Sequence, residues 1–426
     1  MKALSKSFQR ASYMSKRLVA LSIALAAISA QAADVTVTVA AFPAVDEIVK
    51  AAALKWEQKN PGVKVKVISR AYADHHTAMT TSLATSSDLP DVMAIEYGYL
   101  GRFAQSGGLV NLSTLDARLD QQLKSLVPYA VAQGTFEGFG QVAIPTDIGP
   151  GALFYRKDLL DACGASEKDL ISSWDGYLKT GDCIKVKTGA ALMPHARDIK
   201  DIVIRAGVKA GEGVYFDANG KSVVGTAPRF QQAFELAKQV RERGLDAKIN
   251  AWSNEWGEAF KRGTVASQMM GAWLGGHLAN WLAPDTAGKW RSANLPNQAY
   301  ASWGGTFYAV PQKAENKKEA WALIQYLTQD VAQQQAALEK FNAFPALVQA
   351  QEGASFNAPI AFLGGQSARA QWRESALKIV PTKVFKHDAV AEEILNAELD
   401  QVLLRGKSVA EALKDADRMI TRRARR

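Results

Sequence analysis

Six of the ten tryptophans of this 426-residue chain fall between Trp252 and Trp303. Two of them stand beside glycine pairs: Trp273 precedes Gly275 and Gly276, and Trp303 precedes Gly304 and Gly305. An indole face suits the apolar C–H face of a pyranose ring, while the ring's hydroxyls require paired acceptors and donors. Glu96 and Asp147 are the carboxylates expected to accept from such hydroxyls, and the Gly304 and Gly305 amides the expected donors. Trp303 and Trp273 are therefore read as stacking platforms, with Phe42, Tyr97, Trp252 and Trp256 as a second tier of ligand contacts. Most of the remaining aromatics, Trp321 among them, are read as core.

Catalytic chemistry finds less support. The chain has no GxSxG elbow, HExxH pair, glycine-rich phosphate loop or CxxC. Of the five histidines only His75 and His76 adjoin, and neighbours on a helix point about 100° apart, so no metal site is expected. Glu96 and Asp147 could in principle form a glycosidase pair, which is kept as a minor alternative. No cofactor is expected.

The elements that must position these residues begin as alternating strand and helix. Val35, Val37 and Val39 alternate as a strand; Val45, Ile48, Val49, Ala52 and Trp56 repeat at helical spacing up to Asn60-Pro61-Gly62. Val63, Val65 and Val67 form a second strand, and a helix follows from Asp74 as N-cap to about Ser86. The apolar run Val92 to Ile95 is a buried third strand. This βαβαβ start implies an α/β fold with a parallel sheet, whose ligands sit beyond the carboxyl ends of the strands. The loops Ala41–Val45, Ser69–Asp74 and Glu96–Gly101, carrying Phe42, Tyr72, Glu96, Tyr97 and Tyr99, are the expected wall.

Val142 to Pro145 leads into Thr146-Asp147-Ile148-Gly149-Pro150, read as an extended run that breaks into turn residues. Leu153 to Arg156 is then a strand and Lys157 to Cys163 a helix. Helices are expected from Trp174 to Lys185 and Phe230 to Arg243, a hairpin turn over Asp217 to Lys221, and a helix ending at Phe260. Val265 to Met270 is a strand that delivers Trp273. Ala301 to Thr306 precedes a strand over Phe307 to Val310, and helices follow over Lys317–Gln329, Val390–Leu404 and Val409–Arg422.

Lys2, Lys6, Arg10, Lys16 and Arg17 precede an apolar run, Leu18 to Ile28, and the small residues Ser29 to Ala33. That is the pattern of a cleavable signal peptide over residues 1–33, starting at Met1 or Met14, with no cysteine for a lipid anchor; a periplasmic location is expected. The formal charge of +9 is carried by this leader and by Arg422, Arg423, Arg425 and Arg426, leaving the rest of the chain neutral overall. No nucleic-acid footprint follows. Cys163 and Cys183, the only cysteines, are expected either to close a disulfide in an oxidising compartment or to be two buried thiols. About 390 remaining residues suit two domains.

Taken in order, these motifs resemble the extracellular solute-binding proteins of carbohydrate-uptake ABC transporters, the broad family of maltose-binding protein. The residues that carry the resemblance are the opening strand and helix to Asn60-Pro61-Gly62; Asp91-Val92 with Glu96-Tyr97-Gly98-Tyr99; Gly107-Gly108-Leu109; Ile144-Pro145-Thr146-Asp147; Tyr155 to Leu160; Phe260 to Met270; and Trp303-Gly304-Gly305 ahead of Pro311. The resemblance covers nearly the whole chain after the leader. It implies a bilobal, type II periplasmic-binding-protein clamshell with crossovers near 143–147, 300–304 and 350. The segments would be 34–143 and 303–350 in the first lobe, 144–302 and 351–426 in the second. It further implies a monomeric receptor that closes on a neutral mono- or oligosaccharide and delivers it to membrane permease subunits. The alternative ligands are a polyol or a polyamine.

Overall fold

The computed structural model describes residues 35–425. The expected leader, residues 1–33, lies outside them. Strands β1 (Val35–Ala41), β2 (Val63–Ser69) and β3 (Val92–Glu96) run parallel in the order β2-β1-β3, crossed over by helices Val45–Lys59 and Tyr72–Thr85. Val37 and Val39 are fully buried between sheet and helices, and Val45, Ile48, Val49, Ala52 and Trp56 form the stripe the first helix buries. The second helix starts two residues before the expected cap: the His75 amide already bonds to the Ala71 carbonyl at 2.8 Å. Asp74 therefore sits in the first turn, where its charge still favours the helix dipole.

After a small hairpin of β4 (Thr135–Phe136) and β5 (Gly140–Gln141) comes β6 (Ile144–Arg156), a single strand of 13 residues. Its first half pairs antiparallel with β9 (Ser302–Ala309); its second half pairs with β7 (Ser267–Gly271) and β8 (Trp290–Ala293). Because β9 also pairs with β3, one seven-stranded sheet runs through both lobes. The run expected to break into turn residues at 146–150 is thus continuous strand, and β9 begins at Ser302, within the run expected to precede the strand. Glycine serves another purpose there: a Cβ on Gly149 would overlap the Trp303 carbonyl, so only glycine lets β6 and β9 lie this close. Irregular register at Pro145/Asp147 and Ile148/Pro150 absorbs the prolines. A third segment crosses beside them, with Ile148 N–H donating to Phe344 and Ala346 N–H to Thr146 at 2.9 and 3.1 Å.

Each end of the sheet has its own apolar core. Around β7 and β8, helices Trp174–Thr188, Arg197–Ala206, Pro228–Glu242, Asp388–Arg405 and Val409–Ala424 enclose Tyr177, Phe230, Phe234 and Leu399. A larger cluster joins Val39, Trp56 and Leu323 to Phe154, Phe260 and Trp372, and so continues along the crossing strands. Helix Lys317–Gln329 buries Ala320, Trp321, Leu323 and Ile324. Cys163 and Cys183 are joined by a disulfide, Cα atoms 5.8 Å apart, tying the end of helix Lys157–Ala162 to helix Trp174–Thr188. Arg422 and Arg423 are exposed on the last turns of a helix.

Candidate functional site

Glu96 ends β3 and caps helix Tyr97–Ala104, so its side chain is held by the start of the helix it introduces. Its Oε2 accepts from the Gly98 amide at 2.7 Å and from the Tyr72 hydroxyl at 3.1 Å. Burial pushes the carboxyl up to about 7; the Gly98 amide, Tyr72 and Arg205 pull it down, and Glu392 adds to the rise. Behind Glu96 the strand-end loops pack an aromatic group. Phe42 meets Tyr72 edge-on at 5.5 Å, and Tyr99 stacks on His76 at 4.0 Å and 15°.

The His76 ring is locked neutral by its partners. Nδ1 donates to the Tyr72 carbonyl at 2.8 Å, which leaves Nε2 to accept the Glu96 amide at 3.2 Å. Burial draws it down to about 4. His75 bonds through Nε2 to the Ala94 carbonyl of β3 at 2.7 Å, so both histidines support the wall. Among the described residues no group of three or more His, Cys, Asp or Glu is placed to hold a metal ion.

The crossing strand and the second lobe supply the opposite side. Trp273 donates its indole N–H to the Trp303 carbonyl at 2.9 Å. Gly304, at φ +73°, lies between the two lobes' groups: a Cβ there would come 3.3 Å from Trp273 Nε1 and 3.5 Å from Glu96 Oε1. The carboxylate at the end of β3, a left-handed glycine of β9 and the indole that follows β7 therefore meet at one point. Gly305, at φ +126°, faces the Asp147 carbonyl instead. The Trp303 ring is covered by the Arg205 guanidinium at 5.2 Å, and Arg205 pairs with Glu392 at 3.2 Å.

Trp252 lies nearly parallel to Trp273, 5.8 Å away at 21°. Trp256 sits behind it at 5.1 Å, fully buried, its N–H spent on Gln268 at 3.0 Å. Tyr97 is buried on the Arg205 side of the cleft, where it lines a small hollow with Gln133, Ser302 and Tyr300. Asp147 keeps different company again. It lies opposite Thr306 on β9, which hydrogen-bonds to it, and near Tyr129 and Tyr308; burial pushes it up to about 6. Glu96, Gly304, Trp273 and the Trp303 carbonyl are thus brought together with Trp252 beside Trp273, while the Trp303 ring lies under Arg205; Phe42 stands one layer behind, and Asp147, Gly305 and Tyr97 flank the crossing strands.

Sequence reasoning placed Tyr72 and Tyr99 on the wall without counting them as site residues, and it did not single out His76, which accepts the Glu96 amide, Arg205, which covers Trp303, or His277, whose ring lies 5.4 Å from Trp273. The tyrosines could have been found from their place at strand ends. Arg205, near the end of a helix of the other lobe, carries no local signal. The segment before helix Asp388–Arg405 touches helix Tyr97–Ala104 directly: the Lys386 amide donates to Gln105 Oε1 at 3.1 Å, a Cβ on Gly101 would overlap the Phe385 carbonyl, and Val384 is buried in the cluster with Leu100 and Phe103.

The sequence profile of the bacterial extracellular solute-binding proteins matches residues 37–334. The lactose-binding protein of Rhizobium radiobacter is 30% identical over 386 residues, 86% of this chain and 87% of that one. The arabinooligosaccharide-binding protein of Halalkalibacterium halodurans is 23% identical over 290 residues, 65% of this chain and 63% of that one. Among solved structures, an extracellular solute-binding protein of family 1 superposes with a TM-score of 0.80 at 24% identity, covering 92% of this chain and 100% of that one. A transporter-associated binding protein of B. animalis subsp. lactis, solved with β-1,6-galactobiose, gives 0.75 at 23% identity, covering 92% and 97%. The chain belongs to the bacterial extracellular solute-binding protein family, whose members are binding proteins, and it has their bilobal α/β fold.

Proposed function

We propose that this chain is the periplasmic substrate-binding component of an ABC importer, taking a neutral mono- or oligosaccharide into the interlobe cleft and presenting it to the membrane permease. The carrying observation is the convergence of Glu96, Gly304 and Trp273 from first lobe, hinge and second lobe. A pyranose seated there stacks on the indoles and gives its hydroxyls to Glu96, and contacts with both lobes are what make a ligand favour the closed state. Trp256, fully buried, acts by supporting Trp252. The reading includes a leader over residues 1–33, a monomeric protein, and lobes made of 34–143 with 303–350 and 144–302 with 351–426.

Titration calorimetry against lactose, β-1,6-galactobiose, maltose, glycerol and spermidine tests it. Saturable binding of at least one sugar is expected. Tight spermidine binding with no heat from any sugar would overturn the carbohydrate reading in favour of a polyamine receptor.

A further inference from the structure

Resting on the carbohydrate reading, we propose that the ligand runs past the cleft over a shelf formed by Trp252, His277 and Trp281, so that the preferred guest is an oligosaccharide longer than a disaccharide. The shelf begins where the site ends. His277 has its ring 5.4 Å from Trp273, 5.7 Å from Trp252 and 5.6 Å from Trp281, meeting each edge to face at 73° to 86°, so one ring links the three indoles outward from the Glu96 cleft.

Trp252 is 58% exposed and Trp281 52%, and both backbones are unusual. Trp252 has φ +69°, a left-handed conformation that a bulky side chain adopts only against steric strain. Trp281 projects from a π-helical turn, Leu278–Leu282, a form concentrated at functional sites. Isolated exposed indoles need no explanation, but two linked through one ring and both held out by strained or irregular backbone do.

The shelf's chemistry matches a neutral sugar. His277 Nδ1 accepts the Trp281 indole N–H at 2.9 Å, which requires the unprotonated nitrogen there, and burial alone draws the ring down to about 4. The surface offered is therefore uncharged near neutral pH, and Trp281, its donor occupied, presents only its faces. Stacking of this kind tolerates many sugars, as aromatic platforms do for other ring ligands.

The test is calorimetry with homologous β-galacto-, malto- and arabino-oligosaccharide series, from one unit to four units, on the wild-type protein and on Trp281→Ala and Trp281→Phe. In the series that binds, the wild type is expected to gain about tenfold or more in affinity from disaccharide to trisaccharide. Trp281→Ala should lose that gain while binding the disaccharide within about twofold of wild type, with an unchanged melting temperature; Trp281→Phe should keep most of it. A wild type that binds sugar without gaining from length, or an alanine variant that keeps the full gain, overturns this inference alone and leaves the shelf to a permease or to a second copy of the chain. A wild type that binds no sugar of any length overturns the carbohydrate reading and this inference with it.

Discussion

At the scale of single residues, Glu96 has the sharpest chemistry. Its carboxyl, ordinarily near 4.5, stands at about 7 because burial outweighs the Gly98 and Tyr72 hydrogen bonds. Sugar hydroxyls donating to it favour the ionised form, so ligand binding should expel the proton Glu96 holds below that value. Affinity should therefore rise from about pH 5.5 to about pH 8, and Glu96→Gln should flatten the profile. A wild-type dissociation constant that does not change over that range would remove Glu96 from the site. Without ligand the same shift works the other way: between about 4.5 and 7 the folded chain keeps a proton the unfolded chain releases, so the Glu96 contribution to stability falls as pH rises. For the indole, Trp273→Ala should weaken sugar binding by about 1 to 3 kcal/mol in calorimetry while the protein stays folded.

At the scale of elements, the hinge depends on glycine in strand. Gly149→Ala should destabilise the protein by about 1 to 3 kcal/mol, read as a lower denaturation midpoint, because the added methyl meets the Trp303 carbonyl. An unchanged midpoint would mean that β6 and β9 can separate freely. The disulfide closes a loop of 20 residues, so Cys163→Ser with Cys183→Ser should cost about 3 kcal/mol. What was legible in the sequence follows the same physics. Val35 to Val39 and the stripe Val45 to Trp56 were readable because one face of each is buried, and Glu96 because its position follows from a strand end. The runs at 146–150 and 301–305 were not. Glycine and proline usually mark turns, and nothing local shows that two glycine-containing strands will lie together, which only the pairing of β6 with β9 reveals. Arg205 over Trp303 was equally hidden, since a contact between a helix and a strand about a hundred residues on leaves no spacing to read.

At the scale of the whole molecule, the contacts Lys386 to Gln105 and Phe385 to Gly101 join segments far apart in sequence, outside the three crossing segments. A bulkier side chain at this contact should oppose closure: for Gly101→Val, small-angle scattering should show a smaller contraction on saturation with sugar, and affinity should fall although residue 101 lies outside the ligand surface. Full contraction and wild-type affinity in that variant would show that this contact plays no part. The crossing strands carry a continuous apolar cluster from Val39 to Trp372, so the lobes should melt together, in one cooperative transition by calorimetry. Two separated transitions would contradict it.

The most direct measurement is a crystal structure grown with the tightest-binding sugar. A pyranose is expected against the face of Trp273, beside Gly304, with a hydroxyl on Glu96. Sugar density elsewhere, for example in the open hollow of about 520 Å³ beside Tyr155, Glu167 and Arg291, with the Glu96 cleft empty, would contradict it.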